Sequence, residues 1–270
     1  MRAIKSICST LGVHFVAATT FPTTTTSAIS VEQSSFMKRG LPYNDPSTWF
    51  QSFKDSKGSW AYNWDSATES TFPDELEFIA MLWGNSPHHT RRWFENVNIA
   101  ISHGSQHILA FNEPDICRVE GSCLSPEYAA KAYLTYIQPF KGTVYLGTPA
   151  VSNGENGIPW LKAFFQICEN CHFDFLPVHW YDSATKEEYF KLYMKEMHDT
   201  FKLPLWITEF NGSGPEYEQH IFLREVIQWS DSQDYIARYA WFWAIPDYQN
   251  GASVLPDGSP SSLGKLYMSA

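Results

Sequence analysis

The sequence predicts one α/β domain folded as a (β/α)8 TIM barrel, and three observations carry that prediction. Eight strand-like apolar segments recur between residues 39 and 244, and most of the intervals between them show the apolar spacing of helices. The mean repeat is about 29 residues, close to the ~30 of a strand–helix–strand crossover unit. Near-continuous apolar runs suit parallel strands buried on both faces, and eight of them fit a closed barrel better than an open sheet. A length of 270 residues is ordinary for one such domain.

The chain opens with Met1, Arg2, Ala3, Ile4 and Lys5, followed by a modestly apolar stretch to Ala18. Cations before a short apolar run read as a secretory signal over residues 1–20, with Ala17, Ala18 and Thr19 small enough to precede cleavage. Residues 21–36 are rich in Thr and Ser, with Thr23 to Thr26 in a row. Such a leader buries too little apolar surface to order itself. The barrel then takes residues 37–270.

Its strands are expected at 39–44, 60–65, 78–84, 108–115, 144–151, 173–181, 205–211 and 238–244. Helices are expected at 87–103, 125–140, 159–168, 185–201 and 215–230. Ser125-Pro126 offers an N-cap followed by an N1 proline, and Thr185 with Glu188 forms a capping box. Only about a dozen residues separate the second and third strands, too few for a full crossover, so the second helix is short or missing. No run of 18 or more apolar residues follows the signal, so a soluble mature protein is expected.

With 19 Lys and Arg against 29 Asp and Glu, the net charge is −10 and no basic cluster stands out. Nucleic acid and anionic membranes demand the opposite sign, so neither is expected as a partner. The chain holds 11 Trp, 14 Tyr and 19 Phe, many at the ends of apolar runs. Most aromatics pack in cores, but half-buried rings also offer flat faces to the C–H faces of sugars.

Removal of the signal takes Cys8 with it and leaves Cys117, Cys123, Cys168 and Cys171. An even number of cysteines in an exported chain implies two disulfides, most simply Cys117–Cys123 and Cys168–Cys171. A zinc site or a redox C-x-x-C is the competing reading, but no second C-x-x-C accompanies Cys168 and Cys171.

In a barrel of this kind chemistry sits where strands end at the C-terminal face. Those ends bring Tyr43, Trp64, Trp83, Asn112, Glu113, His179, Trp180, Tyr181, Glu209 and Trp243 toward one mouth. Only the fourth and seventh strands end in a glutamate. Strand alternation places Leu109, Phe111 and Glu113 on one face, and Ile207 and Glu209 on another, so each glutamate is expected to point inward. A lone glutamate is usually a surface carboxylate. Two facing across a rim, each ending an apolar strand without a neighbouring cation, suit glycoside hydrolysis.

The segments Ile108-Leu-Ala-Phe-Asn-Glu-Pro-Asp115 and Trp206-Ile-Thr-Glu-Phe-Asn-Gly212 resemble the clan of retaining (β/α)8 glycosidases with the acid/base on strand four and the nucleophile on strand seven. Within that clan, Lys38-Arg-Gly-Leu-Pro-Tyr-Asn44, Tyr62-Asn-Trp-Asp65, Met81-Leu-Trp-Gly84, Val178-His-Trp-Tyr181 and Tyr239-Ala-Trp-Phe-Trp243 are similar to glycoside hydrolase family 128. That family comprises compact, largely fungal endo-β-1,3-glucanases with a glycosyl-hydrolase catalytic core.

The resemblance covers residues 38–265 and implies Glu113 as acid/base, Glu209 as nucleophile and Asn112 as a partner of the sugar 2-hydroxyl. It places His179 and Tyr181 around the nucleophile, although a rim histidine that merely anchors a loop is an equal reading of His179. Trp243 is the leading sugar platform, with Trp64, Trp83, Trp180 and Tyr43 as further contacts or ordinary core. No phosphate loop or ligand cluster calls for a metal or other cofactor.

The expectation is a secreted, monomeric endo-β-1,3-glucanase working by double displacement. The alternatives are action on another β-glucan, transglycosylation, or a glucan-binding protein without turnover. Asn211-Gly-Ser213 is a glycosylation sequon two residues past Glu209, where a glycan would block the cleft, so it is expected to stay unmodified.

Overall fold

The computed structural model describes residues 38–44, 46–53, 56–244 and 251–269. The expected signal and the Thr/Ser-rich leader lie outside the described residues. The eight expected strands all form: β1 (Arg39–Pro42), β2 (Gly58–Tyr62), β3 (Glu77–Phe78 and Ala80–Met81, interrupted at Ile79), β4 (His107–Leu109), β5 (Tyr145–Leu146), β6 (Leu176–Ser183), β7 (Leu205–Ser213) and β8 (Ile236–Trp241).

Every pairing between them is parallel. One ladder runs β3–β2–β1–β8–β7–β6, and the second half of β3 continues into β4 and β5. Isolated bridges, Gly147 to Phe175 and Val151 to Val178, join β5 to β6 and close the ring.

Helices jacket the ring: α1 (Trp93–Ser102, after a single turn at Pro87–Thr90), α2 (Pro126–Ala132), α3 (Gly157–Ile167), α4 (Glu187–Phe201), α5 (Glu216–Ser232) and α6 (Ser262–Ser269). Helix α2 runs on through a π turn at Tyr133–Ile137 and a 3-10 turn at Gln138–Phe140. A 3-10 helix, Ser47–Phe53, fills the first crossover. The second crossover, residues 63–76, contains turns and no helix, as its length required.

Ser125 caps α2 by accepting from Tyr128 N at 3.3 Å. The capping box at Thr185 does not form. Helix α4 starts after Lys186, which makes no side-chain cap, because β6 runs on to Ser183 and Thr185 is taken into the turn, hydrogen-bonded to Ser183 Oγ.

The apolar residues form two cores. Trp60, Tyr62, Ile79, Met81, Leu109, Phe175, Trp206 and Ala240 come from the strands and the residues that adjoin them, and fill the barrel. The larger cluster lies between strands and helices and includes Leu41, Tyr43, Ile207, Trp180 and Phe222. At the N-terminal end of the barrel the Arg238 guanidinium lies 4.4 Å from the Trp206 ring and pairs with Glu77 at 2.7 Å, and Glu77 also holds His107 at 2.7 Å. Lys38 Nζ donates to the carbonyls of Ser230, Asp231 and Gln233, closing the C-terminus of α5.

Two disulfides are present, Cys117–Cys123 and Cys168–Cys171, as the cysteine pattern expected.

Candidate active site

Both glutamates face the mouth of the barrel, but neither arrives there by the strand alternation that the sequence suggested. On β7, Trp206 fills the barrel and Ile207 faces the helices. Val178 pairs with Ile207 and His179 with Glu209, so Thr208 is an extra residue, a bulge that returns Glu209 to the inside. On the fourth strand Leu109 is inside and Phe111 outside. Glu113 comes back because its backbone turns left-handed (φ 38°) while its N–H holds Ala150 O at 2.8 Å. A non-glycine residue rarely adopts that conformation, and such backbones cluster at functional sites.

Three donors hold the Glu209 carboxylate. Trp64 Nε1 donates to Oε1 at 2.7 Å and Tyr181 OH to Oε2 at 2.6 Å, while the single Tyr62 proton is shared between Oε1 and Thr208 O, each at 3.1 Å. Burial, and then the facing Glu209 carboxylate, push both phenols well above their usual range, so both remain protonated donors.

His179 lies between the two glutamates. Its Nδ1 is hydrogen-bonded to Glu113 Oε1 at 2.9 Å and its Nε2 lies 3.5 Å from Glu209 Oε1. The imidazole is fully buried, which alone lowers its pKa, yet the Glu209 and Glu113 carboxylates outweigh burial and raise it above the ordinary value. One oxygen of each glutamate and one nitrogen of His179 lie within 4.8 Å of one another. A divalent ion could be met by such a set. Two carboxylates bridged by an imidazole equally form a hydrogen-bonded acid–base pair.

The cleft above them has a volume of about 720 Å³. Of the residues expected there, Asn112, Glu113, Tyr181, Glu209, Trp64, Trp83 and Trp243 line it, and His179 lies beneath the two glutamates. Asn112 Nδ2 is committed to Glu120 O at 2.9 Å, leaving its buried Oδ1 unpartnered. Trp243 stacks on Phe242 at 4.8 Å and meets Trp64 edge-on, so one wall is aromatic.

Trp180 and Tyr43 are not in the cleft. Alternation along β6 sends His179 and Tyr181 inward and Trp180 outward, where its ring stacks on Phe222 at 5.3 Å. Tyr43 is buried against Phe50, with its hydroxyl on Thr68.

Sequence reasoning missed Tyr62, Phe242, the loop Ser152–Asn153–Gly154, and Arg118, Val119 and Glu120, all of which line the cleft or hold Glu209. Tyr62 was within reach, since it shares its face with Trp60 and Trp64. Asn211 is buried with Nδ2 on Phe242 O at 2.7 Å, so a glycan could attach only if that side chain were expelled.

Residues 40–267 match the family described as the glycosyl hydrolase catalytic core. A crystal structure of a curdlan-specific exo-β-1,3-glucanase of family 128, subgroup III, from Blastomyces gilchristii is 35% identical. It covers 88% of this chain and 100% of that one, with a TM-score of 0.78. A subgroup II endo-β-1,3-glucanase from Sorangium cellulosum is 25% identical, covers 85% and 97% of the two chains, and superposes with a TM-score of 0.72. Alkali-sensitive linkage protein 1 of Schizosaccharomyces pombe is 27% identical over 253 residues. That alignment covers 86% of this chain and 44% of the relative, so the chain spans less than half of that protein's length.

Proposed function

The chain belongs to the glycosyl hydrolase catalytic core family, as a member of glycoside hydrolase family 128, and from that premise we propose that it is a secreted β-1,3-glucanase retaining anomeric configuration. The observation that carries the mechanism is the spacing of the carboxylates: one oxygen of Glu113 and one of Glu209 lie within 4.8 Å. Retaining enzymes hold their carboxyls roughly 5–5.5 Å apart, whereas an inverting pair needs about 6.5–9.5 Å to admit a water.

In the first step Glu209 attacks the anomeric carbon as Glu113 protonates the departing glycosidic oxygen. In the second, Glu113 takes a proton from water, the water oxygen attacks the anomeric carbon, and Glu209 leaves as carboxylate. Tyr62, Trp64 and Tyr181 fix the nucleophile's oxygens, and His179 lies between the two acids, hydrogen-bonded to Glu113 through Nδ1. The wall formed by Trp64, Phe242 and Trp243 offers sugar faces at differing angles, which suits a curved β-1,3 chain.

Cleavage within the chain is the leading mode. Attack from chain ends is a second reading, favoured by the 35% identical exo-acting structure. Products of laminarin digestion separate the two, since a ladder of oligosaccharides in the first minutes marks internal cleavage and glucose alone marks the exo mode. Comparable rates on cellulose and laminarin would overturn the β-1,3 assignment. Export rests on the N-terminal pattern and the two disulfides. It predicts a mature N-terminus near residue 20 in material recovered from medium or cell wall.

A further inference from the structure

We propose that Asn153 is a positioning residue for Glu209, acting through Tyr181. The inference rests on Glu209 being the nucleophile. Strand β6 is paired with β7 along its length, from Leu176 opposite Leu205 to Ser183 opposite Ser213. On its other edge the barrel wall stops early: Val151 O accepts His179 N–H at 3.1 Å, and the chain then leaves the ladder. The next backbone pair on that edge, the N–H and C=O of Tyr181, faces no strand.

Asn153 takes the place of the missing strand. Its Oδ1 accepts from Tyr181 N at 3.0 Å and its Nδ2 donates to Tyr181 O at 3.2 Å. A parallel ladder partner supplies one acceptor and one donor to a residue in this way, and here one side-chain amide supplies both. The backbone so fixed carries the phenol that donates to Glu209 Oε2 at 2.6 Å.

The asparagine is itself immobilised from three sides. Asp115, two residues past Glu113, accepts from Ser152 N at 3.1 Å and from Ser152 Oγ at 2.6 Å. From α4, Tyr193 OH donates to Ser152 O and Tyr189 OH to Asn153 O. Gly157 packs so closely that a Cβ there would meet Ser152 O at 2.1 Å. The segment following the acid/base and the backbone beneath the nucleophile's phenol are therefore joined through one short loop.

A hydrogen bond to the ionised carboxylate favours that form. Slackening the Tyr181 backbone leaves the Glu209 carboxylate less firmly held and less well aimed. In the full-length protein acting on laminarin, Asn153→Ala is expected to lower kcat by about 10- to 100-fold, the effect of misplacing a reacting group by ~1 Å, with KM little changed. Tyr181→Phe should do the same, and the double variant should be no slower than Tyr181→Phe alone, because both changes break one chain of contacts. Asn153→Asp, which keeps the acceptor for Tyr181 N–H, should fall between parent and Asn153→Ala in kcat.

Losses that add in the double variant, or a change confined to KM or to melting temperature, would overturn the role of Asn153. Trapping the parent with an activated 2-deoxy-2-fluoro laminaribioside tests the premise separately. Label on the Glu209 peptide together with additive losses removes Asn153 alone. Label on another residue removes the nucleophile and this inference together.

Discussion

Glu209 is bound by Trp64, Tyr62 and Tyr181 and Glu113 by one imidazole, an asymmetry that suits the roles proposed for them as nucleophile and acid/base. An anion that must attack is best held by groups that stabilise charge, whereas an acid that must give up and regain a proton needs a titratable neighbour. Glu209→Ala is expected to abolish hydrolysis while leaving oligosaccharide binding and fold largely intact, as calorimetry with laminari-oligosaccharides would show. Glu113→Ala should be slow on laminarin yet much less impaired on aryl glycosides with good leaving groups, which need little protonation. Equal impairment on both would remove the acid role. His179 adds a pH dependence. Its folded pKa is raised above the unfolded value of 6.5, so its contribution to stability is complete below that value and is lost as pH rises through the folded one. The stability gap between parent and His179→Gln should accordingly be wider at pH about 5.5 than at about 8.5, by urea titration. At this scale the sequence exposed Glu113 and Glu209 because no other strand ends in a glutamate. It allowed Tyr62 to be placed inside the barrel with Trp60 and Trp64 but gave no sign of where its hydroxyl reaches. It also promoted Trp180, whose side of the strand depends on register.

The strands and helices themselves were legible, because buried parallel strands and amphipathic helices leave periodic patterns that survive small errors in their ends. What was not legible is parity. One extra residue at Thr208 and a left-handed turn at Glu113 reverse the inside–outside count just where the site begins. The expected inward glutamates are present, reached by a different backbone path. The capping box failed for a related reason, since extension of β6 to Ser183 consumed Thr185 before α4 could use it. The loop between Cys117 and Cys123 lines the cleft with Arg118, Val119 and Glu120 and also braces the segment that carries Glu113. Asn112 O accepts Ser122 N–H at 2.9 Å and its amide holds Glu120 O, while a Cβ on Gly121 would meet Ile116 O at 2.3 Å and Glu113 O at 2.6 Å. Gly121→Ala must push that loop off Glu113. A loss of about 1–3 kcal/mol in unfolding free energy is expected for such overpacking, accompanied by a disproportionate fall in kcat. Stability and kcat both at parental levels would show that the loop yields without consequence.

Over the molecule as a whole, chemistry and cohesion occupy opposite ends of the barrel. The Glu77–Arg238 pair and the Trp206 face at the N-terminal end lie away from the cleft. Arg238→Met removes the guanidinium but leaves Glu77 its His107 and Gln106 N–H partners, so the loss is expected to stay below the about 3–5 kcal/mol of a fully orphaned buried charge. The melting temperature should fall while kcat per folded molecule stays close to that of the parent. Both disulfides close very short loops, with sequence separations of 6 and 3, and the chain-entropy gain from a crosslink grows with loop length. They therefore brace local segments more than they hold the barrel together. The vacant second crossover bears on a different property, the order in which the folded protein opens. Over β2 and β3 the outer layer is a strap of turns anchored by Phe72 against Tyr43, Phe50 and Phe78, where other strands are backed by a helix with its own hydrogen-bonded backbone. Regions with fewer buried contacts open at lower free energy than the global transition. Within the barrel, amide deuteration should consequently enter this quadrant first, and a protease that nicks the folded barrel should find its earliest site there between residues 63 and 76.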